Sequence, residues 1–394
     1  MSARKLLVLG THGQANVGDE LLLRTFLDQL GDEHQYTVNS YAPAQTSRQL
    51  NDHFDVEVID TAKARVGLLA AISRSDAVIF AGGSVLKELG PRTGRHRLAT
   101  LRMIFGVVTA ASAMGKPILM SNIGVGPLST RRGRRLATRI LNLVDLVSTR
   151  DHGSFHLAKD LGNDGAKVVR VPDAAFANKP ADLGLSAVPP APHGGLRIAL
   201  NLNGDVRDED AWAHFLDGLR REVQALADRQ PVELVALPMQ CRFKEDHDLR
   251  VLEDFFASLQ GVSCELHEPE DAGAVAEIIS SCDLVMSERL HAIVIASMVG
   301  RPVIALPYDP KVTELATELG IDEWSFPVDE AIPNGALVDA IDRLAADPLE
   351  GVRLALRADG LRSDVIAHFR AVRNWVSAPD EYPSWPQIVA HNAT

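Results

Sequence analysis

The chain of 394 residues lacks the features that mark several protein classes. Its three cysteines, Cys241, Cys264 and Cys282, lie far apart without CxxC spacing, which argues against a disulfide framework or a zinc site and favours a reducing compartment. The longest apolar stretches, such as residues 103–114, are too short to cross a bilayer. The first ten residues are too poor in apolar side chains for a signal peptide. These absences indicate a cytoplasmic globular protein.

Two kinds of partner are also excluded by what the chain lacks. The net charge is −12, so the basic face that a nucleic-acid-binding protein needs is not expected, and no nucleic acid partner is predicted. Residues 208–210 and 246–248 are acidic clusters that resemble metal ligands. Residues 208–210 lie just ahead of a predicted helix, where acidic residues are expected, and capping and solvation at a helix start explain residues 246–248, so no metal site is predicted.

Apolar runs bounded by charge, glycine or proline alternate with helical patterns, and this order predicts an α/β fold with parallel sheets. The glycine-bearing loop after the first run does not have the GxGxxG spacing of a dinucleotide site. The predicted strands are residues 5–9, 38–42, 56–59, 76–80, 116–126 (which opens into a glycine turn), 143–148, 168–171, 196–202, 232–237, 283–287, 302–307 and 324–328.

The length of the chain predicts two domains rather than one core. Residues 179–195 are rich in proline, glycine and alanine, which is typical of a linker. We expect Rossmann-like, doubly wound parallel-sheet domains at residues 1–178 and 196–350, joined by that linker and followed by a C-terminal helical segment and tail at 351–394. Such domains would face each other across a ligand-binding cleft.

Charged side chains follow two neighbouring strands of the predicted second domain. Arg289 and His291 come after the strand at 283–287, and Lys311 comes after the strand at 302–307. Because strand–helix–strand order makes the two strands parallel neighbours, these side chains are expected at one edge of the sheet, where ligands bind.

Three features of the first half also follow predicted strands. Asp19 opens a helix after the first strand, although it could simply complement the helix dipole. Gly82 and Gly83 follow the strand at 76–80 and permit close backbone approach. The basic segment 91–102 reads either as a loop that meets an anionic acceptor or as a solvated helix face.

Arg150 follows the strand at 143–148. Its planar guanidinium suits a carboxylate or phosphate ligand. An ion pair with Asp151 or Asp173 is the alternative interpretation.

Six short motifs in this chain resemble those of the polysaccharide pyruvyl transferase family. They are NVGDE at 16–20, GGS at 82–84, GVGP at 124–127, STRD at 148–151, RLHA at 289–292 and YDPK at 308–311. No single motif is specific, but all six occur in family order over most of the chain. The VPDA segment at 171–174 departs slightly from the aspartate-proline-alanine run of the family.

The resemblance implies a fold like that of GT-B glycosyltransferases. It also implies transfer of the enolpyruvyl unit of phosphoenolpyruvate onto two hydroxyls of one sugar, which gives a cyclic pyruvate ketal and phosphate. The acceptor would be a polysaccharide or a lipid-linked glycan, so peripheral contact with the inner face of the membrane is a further expectation. No cofactor or metal is required by this reaction, and the protein could act as a homo-oligomer.

The resemblance further implies roles for the donor side. His291 is expected to be the general acid. The start of a helix disfavours the charged imidazolium form of His291. The negative charge of the bound donor and of Glu288 or Asp309 would favour that charged form again. Arg289, Lys311 and Arg150 are expected to bind the carboxylate and phosphate of the donor.

For the acceptor side, Asp19 is expected to act as the base on a sugar hydroxyl, with Asn16, Gly82 and Gly83 shaping the site. A structural role for His291 and a solvated Lys311 are the alternatives. Two rival functions remain at this stage, namely a GT-B glycosyltransferase that uses a nucleotide-sugar and a non-enzymatic sugar-binding clamshell protein.

Overall fold

A computed structural model describes residues 3–63, 65–90, 95–162, 167–185, 194–204, 208–243 and 247–386. Parts of the predicted basic segment (91–94), of the predicted linker (186–193) and of the acidic cluster at 246–248 (Asp246) lie outside these residues. The chain divides into two compact units. Unit one comprises Met1–Gln14, Asp19–Ala177 and Arg362–Thr394, and unit two comprises Ala15–Gly18 and Asn178–Leu361.

Unit one contains a seven-stranded parallel sheet with the order β3-β2-β1-β4-β5-β6-β7. Its strands are β1 Lys5–Leu9, β2 Gln35–Ser40, β3 Asp55–Asp60, β4 Ala77–Ala81, β5 Ile118–Ile123, β6 Leu146–Thr149 and β7 Val168–Arg170. Its helices are α1 Val17–Leu30, α2 Pro43–Leu50, α3 Arg65–Arg74, α4 Ala99–Ala113, α5 Arg131–Leu141 and α6 His152–Leu161. The central strands β4 and β5 are buried throughout because helices cover both faces of the sheet.

Unit two contains a five-stranded parallel sheet with the order β10-β9-β8-β11-β12. Its strands are β8 Leu196–Asn201, β9 Val232–Ala236, β10 Ser263–Glu265, β11 Leu284–Ser287 and β12 Val303–Ala305. Its helices are α7 Glu209–Ala227, α8 Asp248–Ala257, α9 Ala272–Ser280, α10 Leu290–Met298, α11 Pro310–Glu318 and α12 Ala336–Ala346. A final helix, α13 Glu350–Ser377, contributes its first part to unit two and its remainder to unit one.

Both sheets reverse their strand order once. In unit one the reversal lies between β1 and β4, and in unit two it lies between β8 and β11. At such a switch point the chain leaves neighbouring strands in opposite directions, which opens a crevice at their carboxyl ends. The residues that follow these four strands are therefore candidates for ligand binding and catalysis.

The predicted α/β class with two doubly wound parallel sheets is confirmed. The predicted strand at 324–328 is wrong, because residues Asp322–Trp324 form a 3-10 turn and Ser325 makes a single bridge to Ala305. Two segments differ from the expected domain limits. Ala15–Gly18 belongs to unit two, and residues 362–394 belong to unit one.

The C-terminal part of α13 is attached to unit one through a buried histidine. The Nε2 atom of His368 lies 3.0 Å from Ser121 Oγ and 3.1 Å from Ser148 Oγ. The ring of Trp385 lies 4.9 Å from the His368 ring, and its indole N–H donates to the carbonyl of Val147. Burial lowers the pKa of His368 to about 3, so its imidazole is neutral at pH 7.

This burial predicts an acid-sensitive fold. As the pH falls below about 6.5, the unfolded chain binds a proton at residue 368 that the folded chain does not, and the free energy of unfolding falls by about 1.4 kcal/mol per pH unit. The substitution His368→Gln removes this titration. Between pH 7 and pH 5 the variant should therefore lose about 2 kcal/mol less than the wild type in urea unfolding. The exposed His156→Gln is the matched control, and equal losses in the wild type and His368→Gln would contradict the assignment.

Candidate active site

The carboxyl end of β11 leads directly into α10 at the switch point of unit two. Arg289 occupies the N-cap position of α10, and His291 is the second residue of the helix. From Ala292 to Met298 every side chain of α10 is buried. A helix that is apolar on all sides must lie inside the unit, so its first turn is held in place by the core around it.

A fully buried carboxylate fixes the residue before this helix. Asp248, the first residue of α8, accepts from Arg289 Nη2 at 2.6 Å and from Arg289 Nε at 3.1 Å. It also accepts from Asn201 Nδ2 and from the backbone N–H of Met239, each at 3.1 Å. These four donors replace the water that the carboxylate loses on burial.

The solvated role expected for the cluster at 246–248 is therefore wrong for Asp248. Its neighbour His247 does cap α8, because its Nδ1 accepts from the backbone N–H of Arg250 at 3.3 Å. Asp208 lies just ahead of α7, as expected, and caps it, since its carboxylate accepts from the backbone N–H groups of Asp210 and Ala211.

Asn201 connects the ends of three strands. Its Oδ1 accepts from the backbone N–H of Arg289 at 2.9 Å and from Ser287 Oγ at 3.2 Å. Its Nδ2 donates to the carbonyl of Leu237, just beyond β9. The start of α10 is thus tied to β8 and β9 as well as to β11, and this constrains the position of His291.

Glu288 and Lys311 both lie at the carboxyl-end edge of the sheet in unit two, as predicted. Glu288 is fully buried after β11 and accepts from Asn203 Nδ2 at 2.5 Å. Lys311 is the second residue of α11, and its Nζ lies 3.8 Å from Asp309 Oδ2 and 5.3 Å from the centre of the Tyr308 ring. The lysine is mostly covered, so the solvated alternative does not describe it.

The first three residues of the NVGDE motif belong to the same unit. The backbone N–H of Val17 donates to the carbonyl of Met239 at 2.9 Å, and Asn16 Oδ1 accepts from the N–H of Gly18 at 3.0 Å. A Cβ atom added to Gly18 would lie 2.0 Å from Nδ1 of His291. Only glycine at position 18 leaves room for the imidazole. The position of His291 therefore depends on a residue more than 270 positions earlier in the chain.

In unit one, acidic side chains and a buried histidine lie at the switch point. Asp19 and Glu20 are in the first turn of α1. Glu20 Oε1 accepts from the backbone N–H of Gly13 at 2.6 Å, and burial raises the pKa of Glu20 to about 7. His12 is buried beside Asp19, and burial lowers the pKa of His12 to about 4. A carboxyl group that titrates near neutral pH is suited to proton exchange, which makes Glu20 a further candidate.

The paired glycines bring the backbone after β4 close to Asp19. Gly82 and Gly83 have φ angles of 65° and 73°, in the left-handed region that favours glycine. A Cβ atom on Gly83 would lie 3.3 Å from Thr11 Oγ1 and 3.7 Å from Asp19 Oδ1.

Arg150 lies beyond the end of β6 and is buried. Its Nη1 donates to Asp173 and its Nη2 to Ser84 Oγ, each at 3.1 Å. Burial lowers the pKa of Arg150, but Asp173, Asp151 and Asp19 outweigh burial and raise it. The structure thus contains the Arg150–Asp173 ion pair, which is the alternative interpretation given for Arg150 from the sequence. Asp19 is close enough to raise the pKa of Arg150 as well.

Unit two also contains a cavity of about 500 Å³ beside the start of α11. Four carboxylates line it together with Tyr308, namely Asp208, Asp309, Glu314 and Asp329. These carboxylates offer hydrogen-bond acceptors to hydroxyl groups. Among the residues that the structure describes, no group of three histidine, cysteine or acidic side chains is placed to hold a metal ion.

Comparison with known proteins agrees with the motifs. The model of the polysaccharide pyruvyl transferase family matches residues 16–310. The chain belongs to this family. It is also similar to the amylovoran biosynthesis protein AmsJ of Erwinia amylovora, with 22% identity over 86% of this chain and 91% of that protein.

Two solved structures show the same fold at low identity. One is a protein of Listeria monocytogenes provisionally described as a UDP-N-acetylglucosamine 2-epimerase, with a TM-score of 0.63 and 13% identity over 98% of this chain and all of that chain. The other is Alr3699/HepE of Anabaena in complex with UDP and glucose, with a TM-score of 0.59 and 15% identity over 95% of this chain and all of that chain. The fold is thus GT-B-like, as the family resemblance implied.

The family assignment makes this chain a transferase of polysaccharide biosynthesis. Within the described residues, no helix has both the length and the apolar character needed to cross a bilayer.

The packing of Gly18 against His291 can be tested by adding one methyl group. Gly18→Ala should displace the imidazole and destabilise the fold by on the order of 1–3 kcal/mol, because the added carbon overlaps the ring. Thermal unfolding and the NMR signals of the His291 ring report the two effects. Gly360→Ala is the matched control, since Gly360 lies in α13 with open space around it. Unchanged His291 signals in Gly18→Ala would show that the contact is absent in solution.

Proposed function

We propose that this protein transfers the enolpyruvyl group of phosphoenolpyruvate onto two hydroxyls of a sugar acceptor. A proton is added to the methylene carbon, which makes C2 electrophilic. One sugar hydroxyl adds to C2 and loses its proton, and the second hydroxyl then displaces phosphate and loses its own proton. The products are a cyclic pyruvate ketal and inorganic phosphate. General acid and base groups and fixed positive charge are the catalytic requirements of this sequence.

His291 is the proposed acid for the methylene carbon. The observation that supports this proposal is the packing of the His291 imidazole. Gly18 of the NVGDE motif leaves room for the ring at the first turn of α10. This contact joins a residue of the NVGDE motif to a residue of the RLHA motif. The two motifs are far apart in sequence, yet both contribute to unit two.

The proposed anion-binding groups differ in how they are held. Lys311 offers an ammonium group beside Tyr308 at the start of α11, where backbone N–H groups add positive potential. Two hydrogen bonds to Asp248 fix the orientation of the Arg289 guanidinium. Arg289 would therefore bind the donor without first having to be oriented. Arg150 is proposed for the same reaction in unit one, paired with Asp173.

Asp19 is the proposed base for an acceptor hydroxyl. It lies at the switch point of unit one, close to the Gly82–Gly83 turn, where a sugar could approach the backbone. Glu20 is a second candidate because two hydroxyl protons must be removed and its pKa of about 7 suits a proton acceptor. Asn16 would contribute by fixing the first turn of α1.

A nucleotide-sugar glycosyltransferase is the alternative that the fold permits, since the Anabaena structure contains UDP and glucose. At 15% identity that likeness shows the fold alone.

The reaction can be tested directly with the purified chain. Phosphoenolpyruvate should release phosphate only when a suitable pyranoside or lipid-linked glycan is present, and the glycan should gain the mass of a ketal-linked pyruvate. His291→Gln should lower this rate by on the order of 10²- to 10⁴-fold, the usual contribution of a general acid.

His156→Gln, a histidine change on the exposed side of α6, is the matched control and should retain full activity. Full turnover by His291→Gln would remove that residue from the mechanism. If only UDP-sugars raise the melting temperature of the protein and phosphoenolpyruvate has no effect, the glycosyltransferase alternative replaces the proposal.

A further inference from the structure

The charge of this chain is strongly segregated. Between Glu88 and Asp145 the sequence contains no acidic residue but nine arginines and Lys116, a net charge of +10 within a protein whose total is −12. The remainder of the chain therefore carries −22. Such a concentrated basic region in an acidic protein indicates a surface that meets a negatively charged partner.

The structure collects most of this charge on one outer surface of unit one. Helices α3, α4, α5 and α6 pack their apolar sides on the same face of the sheet, so their outer sides share one surface. Helix α5 exposes five arginines and contains no acidic residue. These are Arg131, Arg132, Arg134, Arg135 and Arg139.

Arg97, a basic residue before α4, joins the same surface through Glu88. One oxygen of this carboxylate accepts from the backbone N–H of Thr130 at the start of α5, at 3.0 Å. The other lies 3.9 Å from Nε of Arg97. Glu88 therefore holds Arg97 close to the arginine-rich end of α5.

Helix α4, which packs against α5, has an outer side that is unusual for a solvated helix. From Met103 to its C-cap, Met114, there is no charged residue, and these two methionines are 46% and 44% exposed. Helix α3, which also packs against α4, adds Leu69 at 50% exposure. The outer side of a surface helix normally carries charged residues, whereas this one exposes two methionines among small residues, Thr109 and Ser112.

We propose that this surface, formed by the outer sides of α4 and α5, docks on an anionic membrane surface. Met103 and Met114 enter the boundary between headgroups and acyl chains, and the arginines of α5 contact lipid phosphates. An uncharged stripe flanked by arginines is the pattern expected of a helix at such an interface.

Other occupants fit less well. A two-fold contact with a second copy would set the same arginines against each other, which like-charge repulsion disfavours. A soluble polyanion would engage the arginines but would offer nothing apolar to the methionines. Both requirements are met by a bilayer that contains acidic lipids.

Vesicle sedimentation tests the proposal without any assay of catalysis. The full chain should co-sediment with vesicles of phosphatidylcholine and phosphatidylglycerol, much less with phosphatidylcholine alone, and less as salt rises. Replacing Arg131, Arg134 and Arg135 by Gln should weaken binding on the order of a hundredfold. The double variant Met103→Ser and Met114→Ser should weaken it about tenfold or more.

The matched control changes three exposed arginines outside this surface, Arg48→Gln, Arg250→Gln and Arg370→Gln, and should bind like the wild type. Equal loss in the control would show attraction by net charge alone and overturn the proposal. Absence of binding to the acidic vesicles, or a dimer that the methionine variant dissolves, would also overturn it. So would heparin binding that competes fully with the vesicles and is unaffected by the methionine changes.

Discussion

The buried carboxylate of Asp248 is the constraint on which the edge of unit two depends. A charge without water must be surrounded by donors, and here they come from Arg289, Asn201 and the backbone of Met239. Breaking such a pair costs on the order of 3–5 kcal/mol, so these segments are held together strongly. Since Arg289 also donates its backbone N–H to Asn201, the first turn of α10 is fixed in place, and with it His291.

In both units the proposed site residues lie at the reversal of strand order, but the groups differ between the units. Unit two presents a histidine and cations at the ends of β11 and β12, with Gly18 adding the space that the imidazole needs. Unit one presents Asp19, a near-neutral Glu20 and the left-handed Gly82–Gly83 turn at the ends of β1 and β4. The proposed reaction requires both an acid and a base, and the proposed acid, His291, and the proposed base, Asp19, belong to different units.

The sequence predicted the fold well where strands are fully buried, because a short apolar run between charged residues is typical of a strand covered on both faces. It failed for short or polar elements such as β10, which is mostly exposed, and for the false strand near Trp324. The placement of His291, Arg289 and Lys311 at strand ends followed from chain order alone. The role of Asp248, the burial of His12 and the membership of Ala15–Gly18 in unit two arise from contacts between distant segments, which local pattern cannot reveal.

Transfer carried out in deuterium oxide tests the central claim most directly. If a protein acid that exchanges with solvent protonates the methylene carbon of phosphoenolpyruvate, the methyl group of each ketal should carry one deuterium, detectable by mass and by NMR of the glycan product. Formation of a ketal without deuterium in its methyl group would exclude protonation by His291. Transfer of a sugar from a nucleotide-sugar, with no ketal formed, would exclude the proposed reaction altogether.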